Sequence, residues 1–351
     1  MIESPMPWHV SAWRQSVALR SHALLVHGVA GSGERAFAIA LAHAWLCEAP
    51  PAEARPCGRC AGCRLSAAGN HPDLRVIEPE AMAAGLGGAE EGSESDAEDG
   101  DDGDTGRRTS KPSREIKIDQ LRALAELAQL TSHRGGARVV VIHPAETMNA
   151  AAANSLLKLL EEPPPGMRIV LVAEHLRRLG ATLVSRCVRV ALAPPARQVS
   201  MTWLGEQGVK DPAAALARGG GAPLAALALD DGEQSALWRG WLRGVSEPAD
   251  SAVQAARESD AVEVPMLLGW MCRWLHDLGR VKAGARPRHH PDAFDALDRL
   301  ARGLSLAQIT RLARGFDSRQ RWIRHPLNAQ LQREALWLDY LQGVTPAAGR
   351  R

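Results

Sequence analysis

Leu24-Leu25-Val26-His27-Gly28-Val29-Ala30-Gly31-Ser32-Gly33-Glu34-Arg35 is the stretch on which the fold turns. A short apolar run of strand character ends at a glycine turn, and the turn opens a helix. Gly28 and Gly33, with Gly31 between them, keep the spacing of a phosphate-binding loop, G-x-x-x-x-G-K-[ST]. The last two positions depart from it. Glu34 stands where a lysine would neutralise β and γ phosphate oxygens, and Arg35 where a hydroxyl would hold Mg²⁺. A carboxylate about 4 Å from a triphosphate, in a partly shielded site, costs several kcal/mol. The turn is therefore expected to join strand to helix without tight ATP binding, and ATP hydrolysis is not expected. Backbone amides at the helix start can still hold an anion.

The pattern continues outward from that turn. Arg138-Val139-Val140-Val141-Ile142, Arg168-Ile169-Val170-Leu171-Val172 and Val188-Arg189-Val190-Ala191-Leu192 read as further strands, with Leu74-Arg75-Val76-Ile77 as a shorter candidate. Between them lie helical spacings: Ile118, Leu121, Leu124, Leu127 and Leu130, then Met148, Ala152, Leu156, Leu159 and Leu160, stopped at Pro163-Pro164-Pro165. Leu176–Val184 is read as another helix. Strands alternating with helices predict an α/β domain with a parallel sheet over residues 1–195. The second long strand runs into His143-Pro144-Ala145-Glu146, without the metal-binding acid and water-orienting glutamate of an active ATPase. Glu146 is placed instead in the first turn of the following helix.

The chain of 351 residues is long enough for two or three domains. Beyond Arg197 the strand signal ends. Helical sequence broken at Gly219-Gly220-Gly221 and Ser246-Glu247-Pro248 predicts a small helical domain over 196–230 and a larger all-α domain over 231–345. In the latter, Trp238 and Trp241, then Leu267, Trp270 and Trp274, share single helix faces. Core packing is their expected role, with a helix-to-helix subunit contact as the alternative.

Residues 81–113 are rich in Gly, Ser, Asp and Glu and hold almost no large apolar residue, the composition of a disordered loop. Nine carboxylates crowd between Glu90 and Asp104, so the modest net charge of +2 conceals a basic remainder of the kind that can approach nucleic acid. Met1–Arg20 lacks the apolar run of roughly 7 to 15 residues of a signal peptide. No stretch approaches the ~18 apolar residues of a membrane span. A cytoplasmic setting without membrane contact is expected, with reduced cysteines.

Cys57-Gly58-Arg59-Cys60-Ala61-Gly62-Cys63, with Cys47 ten residues earlier, is the sharpest local signal. Four thiolates on short glycine-containing turns suit a closed, structural Zn²⁺ site within a module of about 47–73. An iron–sulfur cluster is the rival, though the downstream Cys-Pro of a ferredoxin run is missing, and His71 is an alternative fourth ligand. Cys187 and Cys272 are expected to be buried thiols.

Together these residues resemble the clamp-loader family of AAA+ proteins, and among them the delta-prime type. The resemblance is carried by His22–Gly28, the four-cysteine insert, His71-Pro72-Asp73, Ile116–Arg122, Asn154–Pro163, Ser185-Arg186-Cys187, Arg324–Asn328 and Leu336–Tyr340. It implies a parallel-sheet AAA+ core, a helical lid and a helical collar within a five-subunit ring. The implied partners are gamma or tau and delta subunits, with the sliding clamp and primed DNA reached through the complex. It implies a subunit of a DNA polymerase holoenzyme without ATPase activity of its own. It also makes Arg186 an arginine finger acting in trans on a neighbour's ATP site. The acidic run is not a motif of that family. Two other readings compete: an active motor-type ATPase, which hydrolyses ATP alone, and a zinc-containing nucleic-acid-binding module, in which metal and DNA affinity are lost together.

Overall fold

In a computed structural model, residues 5–50, 55–82, 112–129, 132–248, 251–320 and 328–345 are described. The chain divides into two compact units, Met1–Ala193 and Pro194–Arg351.

The first unit is built on a sheet of five parallel strands: β1 (Ala23–His27), β2 (Leu74–Ile77), β3 (Arg138–Ile142), β4 (Met167–Ala173) and β5 (Val188–Ala191), in the order β2-β3-β4-β1-β5. Side chains alternate across a strand, so each central strand feeds two cores. Leu25, Val140, Ile142, Ile169 and Leu171 face one way, with Leu121 and Leu124 of α4 (Ile118–Gln129) and Ala152, Leu156 and Leu160 of α5 (Ala150–Glu161). Leu24, Val26, Val139, Val141, Val170 and Val172 face the other, with Phe37, Ala38 and Leu41 of α2 (Glu34–Trp45) and, at the margin, Trp13 and Val17 of α1 (Val10–Ala18). Burial on both faces is why these strands are near-continuous β-branched runs.

Two helix boundaries differ from the sequence reading. Met148 precedes α5 rather than opening it, and Glu146 lies in a separate 3₁₀ helix, Ala145–Thr147, because Asn149 caps α5, its side chain accepting the Ala152 amide at 2.8 Å. Leu176–Val184 is not one helix: a 3₁₀ turn at Leu176–Arg178 is followed, past Gly180, by α6 (Ala181–Val184). The side chains of Leu127 and Leu130, the acidic run and Arg324–Leu327 lie outside the described residues. The ends flanking that run meet. Ala81 N–H donates to the Ser113 carbonyl at 3.0 Å, Ser113 N–H to Glu80 at 2.9 Å, and Lys117 pairs with Glu80 at 3.1 Å.

In the second unit every described element of regular structure is helical. Leu204, Val209, Ala215, Leu216 and Ala226 form a small core among α7 (Arg197–Glu206), α8 (Pro212–Arg218) and α9 (Pro223–Asp230). A larger core gathers Trp238 and Trp241 of α10 (Gly232–Ser246), Trp270 and Trp274 of α12 (Val264–Lys282) and Trp337 and Tyr340 of α15 (Ala329–Val344). The tryptophans expected on single helix faces are thus core residues. Three of their polar atoms are satisfied inside: Trp274 Nε1 donates to Tyr340 Oη at 2.9 Å, Tyr340 Oη to the Val245 carbonyl at 2.6 Å, and Trp337 Nε1 to Ser259 Oγ at 2.9 Å. The short helices α11 (Ala252–Glu258), α13 (Phe294–Arg302) and α14 (Leu306–Arg319) complete the unit. Among the described residues no helix is long and apolar enough to cross a membrane.

Candidate functional site

All five strands run the same way, so their C-terminal ends share one edge, the place where parallel sheets bind ligands. Gly28 follows β1, Glu78 follows β2, His143 follows β3 and Glu174 follows β4. The edge is filled by side chains of the chain itself. Glu34, only 4 % exposed, folds back toward Gly28, where a Cβ would meet Glu34 Oε1 at 2.6 Å and Leu192 at 3.2 Å. A side chain at position 28 would have to push the Glu34 carboxylate aside. Burial, helped by the Glu174 charge, pushes the Glu34 carboxyl up to about 6, against the pull of the Ser32, Gly33 and Glu34 amides. The amides of the glycine turn thus act on an internal carboxylate, in the setting where an active loop presents them to phosphate.

Arg35 also turns inward. Its Nε donates to Glu78 Oε1 at 2.6 Å and its Nη2 to Oε2 at 3.2 Å, while His143 Nδ1 lies 3.2 Å from Oε1. Glu78 is buried, which by itself raises its pKa; the His143 and Arg35 hydrogen bonds overcome this and hold it at about 2. Gln120, from the segment Ile116–Arg122, donates to the Glu78 carbonyl at 2.9 Å. Glu146, in the first turn of the 3₁₀ helix Ala145–Thr147, accepts the His175 amide at 2.9 Å. Sequence reasoning missed Glu78; an acid directly after a short strand in a parallel sheet was the available signal.

The cysteine insert, which includes the short helix α3 (Ala61–Ala67), forms a separate centre. One Sγ each from Cys47, Cys57, Cys60 and Cys63 lie within 4.8 Å of one another, with Cys57–Cys63 at 3.9 Å and Cys47–Cys60 at 4.0 Å. Metal–sulfur bonds of about 2.3 Å in a tetrahedron give sulfur–sulfur edges of about 3.8 Å, so the four can hold a metal ion. Backbone amides of Glu48, Cys57, Cys60 and Cys63 donate to these sulfurs at 3.3–3.4 Å. The amides of Arg59 and Cys60 pull Cys57 down to about 6, while burial pushes Cys63 up to about 12. Gly62 is required here, because a Cβ would stand 2.5 Å from the Leu46 carbonyl oxygen. His71 is not in the group; its Nδ1 accepts the Asp73 amide at 3.1 Å. Asp73 in turn accepts from the His133 and Arg134 amides at 2.9 and 3.2 Å, which gives His71-Pro72-Asp73 a structural role.

Ser185-Arg186-Cys187 links α6 to β5. Arg186 is one-third exposed: its Nε donates to Glu161 Oε1 at 2.7 Å, its Nη2 lies 2.5 Å from the same oxygen, and its Nη1 donates to the Thr182 carbonyl at 3.0 Å. Beside it a cavity of about 540 Å³ is lined by Leu176, Arg177, Leu179, Val184, Cys187 and Arg189, among others. Cys187 and Cys272 are half-buried rather than buried, and burial raises both thiol pKa values, that of Cys187 to about 11.

A family model described as DNA polymerase III, delta subunit, matches residues 13–196. The DNA polymerase III subunit delta' of Pseudomonas aeruginosa is 36% identical over 277 residues, which cover 76% of this chain and 75% of that protein. The Escherichia coli protein of the same name is 31% identical over 82% of this chain and 78% of its own length. A crystal structure of a DNA polymerase III gamma subunit-related protein from Thermotoga maritima aligns with 95% of this chain and 99% of its own, at 18% identity and a low TM-score of 0.42. With more than half of its length under that family model and three quarters of each relative covered above 30% identity, the chain belongs to the family of bacterial DNA polymerase III delta-prime subunits.

Proposed function

We propose that the chain is a non-hydrolysing subunit of a clamp loader, working in the cytoplasm to help place a sliding clamp on primed DNA. It sits in a ring with gamma or tau subunits and a delta subunit, and supplies Arg186 in trans to a neighbour's ATP site. Residues 196–230 serve as the lid and 231–345 as the collar that joins the ring.

One observation carries this reading: Glu34 lies buried against Gly28, under the pull of the turn's own amides. A triphosphate entering Gly28–Gly33 would have to displace a carboxylate and then share the site with it, and no lysine balances the charge. The neighbouring Arg35, which has replaced the metal-holding hydroxyl, is committed to Glu78. What the chain can offer to ATP chemistry is then a cation for another subunit's site, and Arg186 stands at a partly exposed corner suited to that. Zn²⁺ held by Cys47, Cys57, Cys60 and Cys63 would have no open position. It would supply a rigid fold to the insert and no chemistry at a substrate.

The test is a complex reconstituted with gamma or tau and delta subunits. Arg186→Ala is expected to leave the subunit folded and assembled while depressing the clamp- and DNA-stimulated ATPase. For a true finger the loss reaches ~10³-fold or more at the site it serves. Sites that do not face this subunit dilute the loss in the whole complex. An unchanged rate refutes the role of Arg186; ATP turnover by the purified chain alone refutes the non-hydrolysing reading.

A further inference from the structure

Arg186 does not stand alone at its corner; it is tied to a carboxylate 25 residues earlier in the chain. Glu161 is the last residue of α5, where the negative end of the helix dipole disfavours a carboxylate. Pro163-Pro164-Pro165 follows directly and prevents the helix from continuing. On the same helix Leu156 and Leu160 are buried, whereas Asn154, Lys158 and Glu161 are exposed and follow one another at i, i+4 and i+7. A carboxylate in an unfavourable helix position, meeting a guanidinium from another element, is a defined arrangement rather than a chance surface charge.

The contacts fall on particular parts of the guanidinium. Glu161 Oε1 takes the Nε edge, from Nε at 2.7 Å and Nη2 at 2.5 Å. The Thr182 carbonyl takes one Nη1 hydrogen at 3.0 Å, and Ser185 Oγ stands 3.5 Å from Nη1. Of the five N–H donors of an arginine, these contacts leave one on Nη2 uncommitted and one on Nη1 only weakly held. Those two lie on the terminal amino groups, the end that grips an incoming oxyanion in a fork.

Resting on the reading of Arg186 as a finger in trans, we propose that Glu161 is its positioning residue: it holds the guanidinium by the Nε edge and leaves the terminal end for a phosphate oxygen of a neighbour's nucleotide. A long, flexible side chain held in this way reaches the transition state already oriented. The pair is partly exposed on both sides, so its worth to the folding of the subunit is small, and its effect is read in catalysis.

The experiment uses the complete reconstituted complex with clamp and primed DNA. It compares kcat and KM for ATP in wild type, Glu161→Gln, Arg186→Ala and the double variant, with thermal melting of the free subunit as the check on folding. Glu161→Gln is expected to lower kcat roughly 3- to 10-fold with KM within about twofold of wild type. Arg186→Ala lowers kcat further, and the double variant matches Arg186→Ala because the two residues act as one unit. A rate that rises in Glu161→Gln overturns the proposal, since the carboxylate would then be restraining the finger. So does a rate that stays at wild type while Arg186→Ala falls, or a further fall when Glu161→Gln is added to Arg186→Ala. If Arg186→Ala itself leaves the rate unchanged, the finger reading fails and the proposal falls with it.

Discussion

Replacing Glu34 with Gln is expected to make the first unit more stable at neutral pH, an unusual direction for a change at a buried position. The native carboxyl has its pKa raised from 4.5 to about 6, chiefly by burial. Between those values the folded state binds more protons than the unfolded one, so stability falls as pH rises through the window. Above pH 6 the full penalty of about 1.5 pKa units applies, roughly 2 kcal/mol at about 1.36 kcal/mol per unit. At pH 5 the same linkage gives only about 0.8 kcal/mol. Gln keeps the shape and an acceptor oxygen for the Ser32, Gly33 and Glu34 amides but carries no charge. Its advantage over the native residue should therefore grow by about 1.2 kcal/mol between pH 5 and pH 7.5. Native-state hydrogen exchange of peptides from β1 and β4, in buffer free of chelator, isolates this unit from the helical one. A loss of stability at pH 7.5, or a gain that is the same at both pH values, refutes the assignment of Glu34 as a charge confined without a cation.

Two other perturbations address the supporting framework. Glu78→Gln leaves the Arg35 guanidinium without its carboxylate beside a half-exposed edge, and should cost roughly 2–3 kcal/mol at pH 7. The native group, with its pKa lowered from 4.5 to about 2, contributes stability that is present above pH 4.5 and lost as the pH falls toward 2, so the difference between the two proteins should shrink in acid denaturation curves. Cys57→Ser removes one of four converging thiolates; metal content measured by mass spectrometry should fall, and amide protection should drop in residues 55–70 while β1 and β4 stay protected. Retained stoichiometric metal with unchanged protection would count against the four-sulfur site.

Much of this molecule is legible before any coordinates. β-Branched runs such as Val139–Ile142 mark strands buried on both faces, and the triple proline after Glu162 marks where α5 must end. The missing lysine at position 34 states that the glycine turn cannot neutralise a triphosphate. Sequence does not say where the replacement goes: Glu34 lies against Gly28, which Leu192 after β5 also approaches. Likewise Arg35, Glu78 and His143 meet only because three parallel strands finish at one edge, a juxtaposition set by sheet order rather than by spacing. Glu161 and Arg186 are separated by β4, a 3₁₀ turn and α6, and neither carries a local signal of the other. The two misread helix boundaries did have signals: Asn149 is a preferred cap and Gly180 a weak helix former, but apolar spacing on either side overrode them.

The closed neck at Ala81 and Ser113 has a consequence for how this subunit tolerates change. Because the chain leaves and re-enters at adjacent backbone groups, a change in the length of chain between them enters stability through the entropy of closing that loop. That quantity varies slowly, by about 0.6 kcal/mol for each doubling of length. Across a neck closed in this way, a longer or shorter link is expected to cost the unit little.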